Sequence, residues 1–161
     1  MRRLIPLLLL AGCAADPEPP PPGYRDRSVP IGTAVLLDGA RLTGRWREVA
    51  RFANPLQEGC RGATHDIGGA LVIRCDGEDA PRIAAPLAAT GPGRFATGDD
   101  ALPDWWVLWV DEGYRTLVIG TPDGRAGWIL DRDDAGPDRI AAAREILDFN
   151  GYDLGALVVS P

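Results

Sequence analysis

The chain has 161 residues, 45% of them hydrophobic and 25% charged, a size that predicts one domain and excludes a multidomain enzyme. All 17 basic residues are arginine and they face 23 acids, for a net charge of −6, which argues against a nucleic-acid backbone as partner. Nucleophiles and bases are scarce: one His (His65), three Cys and two Ser (Ser28 and Ser160). At the start, Met1-Arg2-Arg3 is a short positive stretch, and residues 4–12 form an apolar run interrupted by Pro6. That run is too short for a bilayer span, which needs about 20 residues, and it reads as a secretory signal.

The run ends in Leu10-Ala11-Gly12-Cys13, which resembles the bacterial lipobox. The resemblance implies a signal peptide over 1–12 and a lipid attachment at Cys13, with a diacylglyceryl group and an amide-linked acyl chain. Ala14 stands where Asp would direct retention in the inner membrane. By that sorting rule the expected location is the outer membrane, lipid-anchored, on its periplasmic face. Pro17, Pro19, Pro20, Pro21, Pro22 and Pro30 make residues 13–30 a tether that favours an extended polyproline conformation. Loss of Arg2 and Arg3 with the signal leaves 15 Arg against 23 acids, a charge of −8. Membrane attachment is then expected through lipid and not through a basic patch.

From Leu42 onward, apolar stretches of five to nine residues alternate with Gly, Pro and Asp turns. Candidate strands are 42–53, 60–67, 70–76, 82–90, 93–98, 105–111, 114–121 and 125–131. The turn signals Gly68-Gly69, Gly91-Pro92-Gly93, Asp111-Glu112-Gly113 and Pro122-Asp123-Gly124 join them as consecutive hairpins. Eight such strands suit a closed up-and-down antiparallel barrel, with a sandwich as the other closure. One helix is predicted, opened by Gly136-Pro137, striped by Ile140, Ala143, Ile146 and Leu147, and closed by Asn150-Gly151. Leu157-Val158-Val159 reads as a short final strand.

Gly44-Arg45-Trp46, continuing Arg47-Glu48-Val49-Ala50-Arg51-Phe52, resembles the G-x-W signature of lipocalins. In their bacterial outer-membrane lipoprotein group an E-x-A-R-F pattern follows it, as here. The stretch from Asp104 to Tyr114 looks like the second family motif, and Gly127-Trp128-Ile129-Leu130-Asp131-Arg132 like the third. The resemblance covers residues 31–161 and implies an all-β, eight-stranded antiparallel up-and-down β-barrel with a C-terminal α-helix packed outside it. It also implies a barrel-closing set of Gly44, Trp46 and Arg132, with the guanidinium stacked on the indole. Its functional implication is binding or storage of amphipathic lipids, fatty acids or lysophospholipids, in the lumen. Lumen candidates are Glu48, which shares parity with Trp46, and Phe52, His65, Trp105 and Trp109. His65 stands where relatives often carry Tyr; a hydrogen-bonded strand histidine without a role remains the alternative.

In the oxidising compartment implied above, Cys60 and Cys75 are predicted to form a disulfide across the Gly68-Gly69 hairpin. They share parity and sum to 135, whereas a two-residue turn would sum to 137, so direct opposition requires a longer or bulged turn. A metal site of Cys60, His65 and Cys75 matches no common zinc spacing. Both serines lie outside the predicted strands, and no phosphate loop, dinucleotide fingerprint or HExxH motif is present. The acid pairs Glu78-Asp79, Asp99-Asp100 and Asp133-Asp134 read as solvated turn residues. The expectation is a binder without cofactor and not an enzyme. A filled-barrel interaction protein and a barrel with a catalytic lumen are the alternatives.

Overall fold

A computed structural model describes residues 23–99 and 102–161. The expected signal peptide, Cys13, most of the tether and Asp100 lie outside the described residues. The strands are β1 (Gly44–Phe52), β2 (Ala63–Ile67), β3 (Ala70–Cys75), β4 (Ile83–Pro86), β5 (Ala88–Gly91), β6 (Arg94–Ala96), β7 (Trp105–Val110), β8 (Thr116–Gly120), β9 (Gly127–Asp131) and β10 (Leu157–Val159). All pairings between them are antiparallel. The sheet runs β4-β3-β2-β1-β9-β8-β7-β6-β5, and β10 adds to β1.

The expected count of eight is corrected at one place. The predicted strand 82–90 is divided at Leu87 into β4 and β5, giving nine strands along the sheet. Pro86 has no N–H to donate to a ladder, so the strand is interrupted where it occurs. β4 pairs with β3 and β5 pairs with β6, so the two ends of the sheet are joined by covalent chain through Leu87. The result is an antiparallel, nearly closed barrel.

Two α-helices accompany it among the described residues. α1 (Gly39–Leu42) is a single turn whose N-cap, Asp38, accepts from the Ala40 N–H, and it buries Leu42. α2 (Pro137–Phe149) has the expected N-terminal Pro and ends before Asn150 and Gly151, the glycine at φ 83°. It lies on the outside of β7 and β8, to which it presents Ala143 and Leu147. No helix among the described residues is long and apolar enough to cross a membrane.

Burial explains the hydropathy patterns. β2 alternates buried and half-buried residues because one face meets solvent, whereas β8 and β9 are buried throughout. β8 has the lumen on one side and α2 on the other, and β9, between β8 and β1, adds Ile129 to the layer under α2, so both read as unbroken apolar runs. Two apolar layers result. The inner one contains Trp46, Ile67, Leu71, Ile73, Trp105, Val107, Leu117, Trp128 and Leu130. The outer one, under α2, contains Ala50, Phe52, Leu108, Val118, Ile129, Ala143, Leu147 and Tyr152. At Gly120, an added Cβ would lie 2.8 Å from the Tyr152 hydroxyl, so only glycine lets Tyr152 approach.

Candidate functional site

β1 delivers Trp46 to one end of the barrel. Its indole N–H donates to the Leu42 carbonyl at 2.8 Å, and the Arg132 guanidinium lies over its ring, 4.1 Å from the centroid. Arg132 also donates to the carbonyls of Arg41 (2.8 Å) and Thr43 (3.0 Å). Gly44, at φ 118°, leads the chain into β1, and a Cβ there would come 3.2 Å from the Arg132 Nη1. A glycine is thus needed both for the backbone angle and for the guanidinium to reach the indole. Arg132→Ala is expected to lower stability by about 1–2 kcal/mol, more than an ordinary surface change, as read by chemical denaturation.

Two residues further along β1, Glu48 points into the interior and is 2% exposed. It accepts from Arg51 Nη1 (2.5 Å), Gln57 Nε2 (2.7 Å), Ser160 Oγ (2.7 Å) and His65 Nε2 (3.2 Å). Burial pushes its carboxyl up, but the hydrogen bond and charge of His65, with the donors Gln57 and Ser160, bring it down to about 2. The network extends outward. Gln57 Oε1 accepts from Trp128 Nε1 at 2.7 Å and Asn54 Nδ2 at 3.0 Å, and Arg51 donates to the Cys60 carbonyl. One carboxylate thereby ties together β1, the connection 53–62, β2 and the C-terminal segment.

His65, opposite Trp46 in the β1–β2 register, is fully buried. Its ring centroid lies 5.7 Å from that of Trp105 and 5.9 Å from that of Trp128, and the two indoles are 5.1 Å apart. Its Nδ1 has no hydrogen-bond partner. Half-buried Leu56 and Leu102 pack on this inner layer from the connections at the end where β1 finishes. At the same end a pocket of about 470 Å³ is lined by Arg51, Asn54, Pro55, Gln57 and Gly59.

Of the expected lumen residues, Glu48, His65 and Trp105 are therefore brought together in the interior. Phe52 and Trp109 are not. Phe52 is buried in the outer layer, stacked between Tyr24 (5.1 Å) and Tyr152 (5.0 Å), and Trp109 is half-buried on the same side. The cause is a register shift between Glu48 and Ala50 in β1 and another between Val107 and Trp109 in β7. A β-bulge inserts one residue and reverses which face the following side chains occupy. The same bulge turns Arg51 inward, so the carboxylate is paired by a guanidinium of its own strand. Arg51, Gln57 and Ser160 carried no sequence signal. Arg51 has the wrong parity for an unbroken strand, and the other two reach the site from a loop and from the chain's end.

The disulfide Cys60–Cys75 is present, with Cα atoms 5.3 Å apart. Its place differs from the simple hairpin picture. β2 and β3 pair from Ala63↔Cys75 to Ile67↔Leu71, so Cys75 faces Ala63 and Cys60 reaches it from the preceding connection. With both thiols bridged, the alternative metal set of Cys60, His65 and Cys75 has no thiolates to offer.

Residues 90–161 match the family model described as "Lipocalin-like domain", a stretch that starts in β5 and leaves out Gly44 and Trp46. No curated protein matches the chain in sequence. Among solved structures, lipocalin 12 from rat epididymis superposes with a TM-score of 0.60 at 9% identity, covering 81% of this chain and 88% of its own. The chain has the lipocalin fold. Insecticyanin from the tobacco hornworm Manduca sexta is similar at TM-score 0.62 and 14% identity, over 87% of each chain. The allergen Per a 4 from cockroaches gives TM-score 0.61 and 16% identity, over 84% of this chain and 95% of its own. In this lipocalin fold, Trp46 and Arg132 stack at one end of the barrel, and the Glu48 network sits between them and the end that carries the connection 53–62.

Proposed function

We propose that the protein is a lipid-anchored lipocalin of the bacterial outer-membrane lipoprotein group, which binds an amphipathic lipid, a fatty acid or a lysophospholipid, in its barrel. The observation that carries this reading is the interior itself. It is apolar throughout except for one carboxylate network, it is closed at the Trp46 end, and Leu56 and Leu102 extend the apolar lining to the other. An acyl chain placed there gains roughly 0.8 kcal/mol for each CH₂ removed from water, and no bond is made or broken. Catalysis has little support, since the carboxylate is saturated by donors, Ser160 is one of those donors, and Ser28 is bonded to Asp26 at the exposed start of the chain. The test is displacement of an environment-sensitive apolar dye: the dye is expected to bind and to be released by fatty acid or lysophospholipid.

The anchor fits the way the chain joins the fold. Tyr24 N–H donates to the Gly124 carbonyl at 2.7 Å, in the connection 121–126 at the same end as 53–62. The ten residues from Cys13 to Pro22 can span at most about 35 Å, which bounds the distance of that end from the lipid. Cys13→Ala is expected to move the protein from the membrane pellet to the soluble fraction of a cell lysate.

A second reading is favoured by one observation. Trp46, His65, Trp105 and Trp128 are 0–3% exposed, so this part of the lumen is occupied by side chains. A barrel filled in this way would act through its outer surface as an envelope interaction protein. Failure of any apolar dye to bind supports it against the first.

A further inference from the structure

We infer, on the lumen-binding reading above, that the segment 53–59 is the gate through which a ligand enters and leaves the barrel, and that the Gln57 carboxamide is its latch. The segment is built as a separate unit. The backbone hydrogen bonds that order it run inside it, from Gln57 N–H to the Asn54 carbonyl (3.1 Å), from Glu58 N–H to Pro55 (3.4 Å) and from Cys60 N–H to Gln57 (3.0 Å). Its two ends are fixed, since Phe52 is stacked between Tyr24 and Tyr152, and Cys60 is bridged to Cys75. Between them Ala53, Pro55, Glu58 and Gly59 are exposed. What enters the interior is the Gln57 side chain, 2% exposed, with Leu56 beside it. The partners fix how the carboxamide lies. Nε2 donates to the Glu48 carboxylate at 2.7 Å, which only accepts, and Oε1 accepts at 2.7 Å from the Trp128 indole N–H, which only donates.

The closed position also carries a cost. Asn54 Nδ2 faces two oxygens, the Phe52 carbonyl and Gln57 Oε1, and its Oδ1 is left buried without a partner. A buried acceptor left unpaired is costly, and water reaches it once the segment swings out. Two hydrogen bonds and the apolar contact of Leu56 hold the segment in, and the unpaired acceptor works against them. The pocket of about 470 Å³ is lined by Gln57 and Gly59, so open space adjoins the latch. The connection 121–126 at the same end is held differently, by Tyr24 N–H on the Gly124 carbonyl and by Thr121 N–H on the Tyr152 hydroxyl. Local opening is therefore placed at 53–59, and it leaves the barrel folded.

Opening releases the Trp128 indole N–H, whose hydrogen exchange is followed by NMR in uniformly ¹⁵N-labelled protein without any ligand. It is expected to exchange at least about tenfold faster than the slowest backbone amides of β8 and β9, which report global unfolding. In stopped-flow mixing with an apolar dye, the uptake rate should level off at the rate of opening as dye is raised. Gln57→Met, similar in size but without the two hydrogen bonds, is expected to raise that plateau on the order of tenfold. Arg82→Ala, which breaks an exposed pair with Glu78 in the connection 76–82, is expected to leave it unchanged. Trp128 exchange as slow as that of the barrel amides, or an unmoved plateau in Gln57→Met, would overturn the inference, while dye binding would leave the lumen reading standing. Fast Trp128 exchange in a protein that takes up no dye would overturn the lumen reading and the role of the gate with it.

Discussion

Glu48→Ala is expected to destabilise the fold by about 3–5 kcal/mol, the range found when one partner of a buried ion pair is removed. The loss comes less from the missing carboxylate than from what it leaves. Arg51 remains buried without a counter-charge, and Gln57, Ser160 and His65 each lose the acceptor for a buried donor. The C-terminal segment should loosen first, because Ser160 is held there by its own N–H on the Val49 carbonyl and its hydroxyl on Glu48. Denaturant titration gives the stability, and backbone hydrogen exchange over 157–161 reports the loosening. Glu48→Gln keeps the shape but not the charge, and separates the electrostatic part of the loss from the steric part.

The same group sets the acid limit. Its folded value, about 2, lies below the ordinary 4.5, so the stabilisation is fully present above pH 4.5 and is lost as pH falls toward 2. Wild-type stability should therefore decline across that window by about 3 kcal/mol from this group alone. In Glu48→Gln that part of the decline should be absent, leaving a shallower acid limb in thermal melts run from pH 5 to pH 2.

The second large effect concerns the disulfide. Removing it with Cys60→Ser and Cys75→Ser together is expected to cost about 3 kcal/mol, as for a closed loop of 15 residues. For a domain of this size that lowers the melting temperature on the order of 10 °C. The consequence reaches the site, because Cys60 also supplies the carbonyl that Arg51 uses, and Gln57 sits in the same connection. Reduction of the wild-type protein should reproduce the shift, whereas the double variant should be insensitive to reductant.

Much of the barrel was legible from the chain. Turn glycines and prolines separated apolar runs of strand length, and these run in the order of a meander. The G-x-W spacing placed Trp46 and Glu48 on one face because strands alternate with period two. That alternation also produced the errors. It holds only while a strand is regular, and the bulges at Val49 and Leu108 carried Phe52 and Trp109 to the outer layer. Neither bulge has a glycine to announce it. The interruption at Leu87 had a marker in Pro86, which was read as strand.

The polar network was half legible. A carboxylate on the face of Trp46 requires partners, but their identity depends on contacts between residues as far apart as Glu48 and Ser160. Such contacts arise only when β10 is laid on β1 at Ala50↔Val159, and no local pattern encodes that register. His65 was visible as a position in a strand; that it lies between two indoles was not.

On the proposed function the barrel carries a lipid. Native mass spectrometry of the full-length protein, extracted from membranes under mild conditions, tests it most directly. One amphipathic lipid per chain, lost on delipidation and regained on addition, is the predicted result. A uniformly empty chain that takes up neither lipid nor apolar dye would contradict it.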